Sequence, residues 1–178
     1  MYQELHRPQF HFTAQTNWIN DPNGLVYHDG EYHLFFQHNP ESVTWVNMTW
    51  GHAVSTDLIH WSQIAHALCP DDLGTIFSGS AVMDWDNASG FQEGDKIPMV
   101  AFYTSAGEYA PTPEPYTQSL PYSLDSGRNG QDIRKSGNRT HPVSEQGPQS
   151  HLAPGGEALD HGPLPGRQRL CSVRLHGS

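Results

Sequence analysis

Trp18-Ile19-Asn20-Asp21-Pro22-Asn23-Gly24, followed by Leu25-Val26-Tyr27-His28-Asp29-Gly30-Glu31-Tyr32-His33-Leu34-Phe35-Phe36-Gln37, is the stretch on which the reading of this chain turns. Its second half is a hairpin. Leu25 to His28 and Glu31 to Gln37 flank Asp29-Gly30, a dipeptide that tolerates positive φ at both central positions of a tight turn. The second strand is rich in aromatic side chains, which suit a pleated, half-buried surface. The first half, Trp18 to Gly24, reads as a rigid turn, because Asp, Pro, Asn and Gly are turn residues; on that reading alone Asp21 only caps its own backbone. The same seven residues also gather an indole, an amide and a carboxylate. A sugar site needs that mixture: flat apolar faces for C–H surfaces, amides for hydroxyl groups and a carboxylate for the anomeric carbon.

Outward from the hairpin the chain continues as short strands separated by turns. Trp50 to Ser55 and His60 to Ile64 form a pair joined across Thr56-Asp57-Leu58, and further strands are expected at Ile76 to Asp84, Met99 to Thr104 and Thr117 to Leu124. Pro111-Thr112-Pro113-Glu114-Pro115 reads as a stiff, extended surface connection. Long helical periodicity is missing, so the fold class is all-β, and the pattern alone leaves sandwich, barrel and propeller open. Some 122 residues would hold roughly two to three propeller blades at about 40–50 residues each.

Composition divides the chain. All 19 aromatic residues lie between Tyr2 and Tyr122. Residues 1–122 carry a net charge of −12, with Arg7 and Lys96 as their basic residues, whereas residues 123–178 carry +2 and have Gly or Pro at 14 of 56 positions. A segment so poor in aromatics has little to bury against its ordering entropy. The acidic first part argues against nucleic acid and against an anionic membrane surface, both of which call for Lys and Arg. Cys69 and Cys171 lie on opposite sides of the break and suggest no disulfide framework. Met1 to Pro8 lacks the apolar core of an export signal, so the chain as written reads as cytoplasmic, while a secreted or periplasmic place for an intact parent stays open and localisation is not assigned. The 12 histidines, among them His28, His33, His38, His52, His60 and His66, show no metal-binding spacing and read as strand or turn residues with satisfied ring nitrogens.

Three later segments join the first motif in order: Phe35-Phe36-Gln37-His38-Asn39-Pro40, Trp50-Gly51-His52-Ala53-Val54-Ser55-Thr56-Asp57-Leu58-Ile59-His60-Trp61, and Phe77-Ser78-Gly79-Ser80-Ala81. Together they resemble glycoside hydrolase family 32, the invertases, levanases, inulinases and related β-fructosidases, over roughly residues 7 to 124. The resemblance implies a five-bladed β-propeller, of which this chain would hold the first blades. It implies that Asp21 is the nucleophile that forms a covalent fructosyl intermediate, and that Asn20, Gln37, Trp45, Phe77 and Ser78 line the fructose subsite. It implies sucrose or a fructan as substrate, with no metal or organic cofactor and no partner protein. Each of these residues also has a plainer reading. Gln37 would be an edge amide satisfied by backbone, and Trp45 and Phe77 would be core aromatics, as Trp50 and Trp61 are read here. One departure touches Trp45: family members commonly have Gly after it, and here Val46 follows, which reduces backbone freedom.

The resemblance stops after Tyr122-Ser123-Leu124-Asp125-Ser126-Gly127-Arg128. The family's Arg-Asp-Pro motif is absent, and no Glu stands beside a Cys to serve as general acid/base; Glu145 and Glu157 sit in Gly/Pro/Gln-rich surroundings. The sequence therefore divides into residues 1–128, the amino-terminal part of the propeller, and residues 129–178, a disordered or frameshifted tail foreign to the family. The expectation is an inactive, poorly closed chain whose open sheet edges invite aggregation. Two rivals remain: an arabinan- or xylan-acting five-bladed hydrolase, and a non-catalytic carbohydrate-binding propeller.

Overall fold

The computed structural model describes residues 4–8, 10–129 and 134–136. Eight strands form two four-stranded antiparallel sheets, each a simple meander. The first sheet contains β1 (Trp18–His28), β2 (Glu31–Asn39), β3 (Thr49–Ser55) and β4 (Ser62–Leu68). The second contains β5 (Thr75–Met83), β6 (Met99–Ala106), β7 (Thr117–Ser123) and β8 (Arg134–Ser136). A single turn of 3₁₀ helix, Gly107–Tyr109, follows β6, and the described residues contain no α-helix. The fold is all-β, as the sequence implies.

The hairpin forms as read. Asp29 and Gly30 take φ of 50° and 85°, and Tyr27 faces Tyr32 across β1 and β2. Trp18 to Gly24 differs from its reading as a turn. It is the first half of the 11-residue strand β1, whose pairing with β2 slips twice, between Ile19 and Pro22 and between Asn23 and Leu25. β1 is the edge of its sheet, where a proline that cannot donate to a ladder is tolerated beside a bulge. The strand after Thr56-Asp57-Leu58 also starts later than read, at Ser62. Asp57 Oδ1 accepts the backbone N–H groups of Ile59 and His60 at 2.9 and 2.8 Å, which holds His60 in the turn. Of the expected foreign tail, only Asn129 and β8 fall within the described residues, and β8 pairs antiparallel with β7. The reading of Cys171 falls outside the described residues.

The two sheets pack face to face. Val26, Phe35, Trp50, Ala67 and Leu68 from the first meet Ile76, Ala81, Met99 and Tyr103 from the second in one buried cluster. On the other face of the first sheet, Phe36 and Ala53 are covered by Ala14 and Phe12 from the preceding segment, with Ile19 and Trp61 at the margin. Burial of large apolar side chains at about 1.5–3 kcal/mol each makes these two layers the main source of stability.

Histidines are part of this interior. His33 Nδ1 lies 3.1 Å from His52 Nε2, and His52 Nδ1 lies 3.2 Å from the Gly127 carbonyl. A carbonyl only accepts, so His52 carries its proton on Nδ1, its Nε2 accepts, and His33 Nδ1 donates. His38 Nδ1 donates in the same way to the Trp18 carbonyl at 2.8 Å. The expectation of satisfied rings fails at His28 Nδ1 and His66 Nε2, which are buried without a partner. Burial holds His52 down to about 3 and His66 down to about 4, and it also lowers His33 and His38. The unfolded chain protonates these rings near pH ~6.5, so below that pH it binds protons the folded chain does not. Stability is thus fully present above pH ~6.5 and is lost as pH falls toward the folded-state values, by up to about 1.4 kcal/mol per pH unit for each ring. A thermal melt series from pH 7 to 4 should show Tm falling across this window, and His66→Leu should flatten part of the slope; a flat profile would contradict the buried neutral rings.

Candidate active site

Three successive pairs join the sheets along β1 and β5. Ser78 Oγ donates to Asp21 Oδ2 at 2.7 Å, the Gly79 N–H donates to Asn23 Oδ1 at 3.2 Å, and a Cβ added to Gly24 would lie 2.5 Å from Ala81 Cβ. Residue numbers rise together in these pairs, so β1 and β5 run side by side in the same direction. With every neighbour within a sheet antiparallel, the starts of β1 and β5 share a rim with the ends of β2 and β6. The β2–β3 loop, residues 40–48, and the β6–β7 loop, residues 107–116, overhang that rim.

Asp21 sits there with Asn20 and Pro22, all exposed, and Ser78 opposite is exposed as well. Asn20 Oδ1 accepts the Trp18 indole N–H at 2.9 Å, which ties the indole to the motif. Gln37 lies on β2 between His38 and Phe36, whose partners Ile19 and Pro22 bracket Asn20-Asp21 on β1. It is 2% exposed, and its Nε2 has no hydrogen-bond partner among the described residues. A satisfied edge amide would not look like this; a buried donor left open at a rim is what a ligand hydroxyl would complete.

The aromatic residues form one cluster under the two loops. Trp45, 40% exposed, has its ring 5.8 Å from Phe77 and 6.0 Å from Tyr109. Phe77 also meets Tyr109 at 6.1 Å and Tyr116 at 5.8 Å. Tyr116 donates its O–H to Glu108 Oε2 at 2.7 Å, and burial, reinforced by that carboxylate, pushes its phenol up. Val46 does not strain the first loop, because the left-handed conformation there falls on Asn47, φ 53°. Trp50 is core, 1% exposed, yet its indole N–H donates to the Phe77 carbonyl at 3.0 Å and so anchors β5 just before Ser78.

The structure thus brings Asp21 and Ser78 into contact, sets Asn20 and Gln37 on the same bulge, and places Trp45 and Phe77 together beside them. Asn23, Gly79, Tyr109 and Tyr116 were not singled out from the sequence. Tyr109 and Tyr116 flank the Pro111 to Pro115 segment, which is no simple extended connection: Glu114 N–H donates to the Gly107 carbonyl at 3.0 Å and folds the loop back. Among the described residues no group of three His, Cys, Asp or Glu side chains is disposed to hold a metal ion.

A solvent-open carboxylate among amides and aromatic faces thus lies where the edge strands of two four-stranded antiparallel meanders meet, in an all-β protein. The chain belongs to glycosyl hydrolase family 32: residues 11–152 match the glycosyl hydrolases family 32 N-terminal domain. It is 54% identical over 127 residues to the levanase of Bacillus subtilis (strain 168), covering 71% of this chain and 18% of the levanase. Among solved structures it is similar to exo-inulinase from Aspergillus awamori, with 43% identity, a TM-score of 0.66, and coverage of 76% of this chain and 28% of that one. It is likewise similar to fructofuranosidase from Schwanniomyces occidentalis complexed with fructose, with 40% identity, a TM-score of 0.66, and coverage of 75% and 26%. The chain therefore spans between about a fifth and just over a quarter of these relatives.

The Trp50 anchor gives a direct test. Trp50→Phe keeps most of the buried ring but leaves the Phe77 carbonyl unpaired, which should lower stability by about 1–3 kcal/mol, read as a shift of the denaturant midpoint. An unchanged midpoint would show that the indole N–H contributes nothing to holding β5.

Proposed function

We propose that this chain carries the nucleophile half of a retaining β-fructosidase site that releases terminal fructose from sucrose or a fructan. The observation that carries this reading is the Asp21 carboxylate, open to solvent, bonded to Ser78 at 2.7 Å and backed by a buried Gln37 amide with an open donor. Asp21 attacks the anomeric carbon and displaces the leaving sugar; water then attacks the fructosyl ester and releases fructose with retained configuration. A partner acid about 5–5.5 Å away must protonate the leaving oxygen in the first step and take the proton of water in the second. Asn20 and Gln37 offer amides to fructose hydroxyl groups, and Trp45 and Phe77 offer aromatic faces. The names of the relatives, levanase, exo-inulinase and fructofuranosidase, support fructose-containing substrates.

In this proposal the two sheets are the first blades of a five-bladed propeller. Arg-Asp-Pro and a Glu beside a Cys do not occur within residues 1–178, so these residues by themselves supply no such acid. Loss of general acid catalysis alone lowers rates about 10²–10⁴-fold.

The purified chain should release no measurable fructose from sucrose, inulin or levan; release that Asp21→Asn abolishes would refute the loss of activity. A fructofuranosyl donor with a nitrophenolate leaving group needs no protonation of that group. It should leave one fructosyl unit on Asp21, detected by intact mass and peptide mapping, and none on Asp21→Asn. Failure of wild-type capture would refute Asp21 as a nucleophile in this chain.

A further inference from the structure

We propose that Asn23 and Ser78 form a two-point clasp between β1 and β5 that aims the Asp21 carboxylate, with Asn23 acting as a positioning residue. This deepens the reading of Asp21 as nucleophile and rests on it for its catalytic meaning.

The clasp lies where both strands are irregular. β1 slips register on each side of Pro22-Asn23, and β5 slips between Ile76 and Gly79. Bulges re-aim side chains, but they also release local backbone from its ladder. Something must then fix the released segments relative to each other. The Gly79 N–H belongs to the same planar peptide unit as the Ser78 carbonyl, so the bond from Gly79 N to Asn23 Oδ1 fixes the backbone that carries the Ser78 side chain. From that anchored position Ser78 Oγ reaches Asp21 Oδ2. A Cβ on Gly79 would overlap the Phe102 carbonyl, so β6 closes the other side and this peptide has no room to retreat.

The hydroxyl proton of Ser78 is committed to Asp21. A serine has one proton to donate, so while the clasp holds, Ser78 accepts from a sugar hydroxyl but does not donate to it. Oδ2 is the held oxygen of Asp21, which leaves Oδ1 to face the anomeric carbon.

Asn23 is not explained as a turn residue. It lies inside β1 and is absent from the left-handed conformations that mark the chain's turns. It is 4% exposed, with its Nδ2 unpartnered among the described residues. A purely structural amide in so buried a place normally satisfies both ends. Asn23 uses only its acceptor, and that acceptor points to the peptide beside Ser78.

The test reads Asp21 directly, by side-chain ¹³Cγ NMR of the full chain, together with hydrogen exchange at Gly79. Ser78→Ala should move the Asp21 Cγ resonance, and Ser78→Thr, which keeps the hydroxyl, should return it. Asn23→Ala should move the same resonance although Asn23 does not touch Asp21, and should speed exchange at Gly79 about tenfold or more. An unmoved Asp21 resonance in Asn23→Ala, or no rescue by Ser78→Thr, overturns the clasp. Because Ser78 is exposed, its variants should fold even where Asn23→Ala does not, and the serine pair then decides alone. Fructosyl capture, measured separately, distinguishes the two ideas: an intact clasp without capture leaves the geometry standing and removes the nucleophile reading.

Discussion

The two sheets meet at a place where no side chain fits. A Cβ at Gly24 would stand 2.5 Å from both the Cβ and the backbone nitrogen of Ala81, far inside contact distance. Glycine on one strand facing alanine on the other lets β1 and β5 run side by side with their backbones nearly touching. That approach brings Asn23 within a hydrogen bond of Gly79 and Asp21 within a hydrogen bond of Ser78. A larger residue at position 24 would push the strands apart by more than either bond could span, so the rim geometry depends on one missing methyl group.

The core reinforces this from below. Trp50 fills the space between the sheets, and its ring packs against Phe35 and Tyr103 at 5.7 and 6.1 Å. Its indole N–H is also the donor that fixes the Phe77 carbonyl. One side chain thus serves the packing of the interior and the position of the residue before Ser78. Packing and site are coupled, because close-packed interiors transmit displacement rather than absorb it.

What the sequence made legible follows the range of the interaction. The hairpin was readable because Asp29-Gly30 sets its own backbone, and the alternation around it is local. The family was readable because four short motifs recur in order. Trp18 to Gly24 reads as a turn in sequence because Pro22 and Gly24 are turn residues in most settings; an edge strand with two bulges accepts both, and only the neighbouring strand shows that. His60 was assigned to a strand because the capping by Asp57 is a matter of geometry, not of residue type. Asn23 and Gly79 escaped notice for a different reason. Their bond joins residues 56 positions apart, and no local pattern records a contact between the edge strands of two sheets. The same holds for Tyr109 and Tyr116, which look like loop aromatics until Phe77 is placed between them.

These contacts also bear on how the chemistry is divided. A retaining glycosidase needs one carboxyl group aimed at carbon and another aimed at oxygen, on opposite sides of the bond that breaks. On the proposal that Asp21 is the first, β1 and β5 aim it with support from the strands beside them: Gly24 sets the spacing, Asn23 and Gly79 set the backbone, Ser78 holds one carboxylate oxygen, and Trp50 fixes the peptide before Ser78. None of these groups lies beyond position 79. On that proposal the aim of Asp21 is set within the first two sheets. Proton transfer to the leaving sugar depends on a separate group with its own supports. Aim and proton supply are thus carried by different groups in a retaining glycosidase.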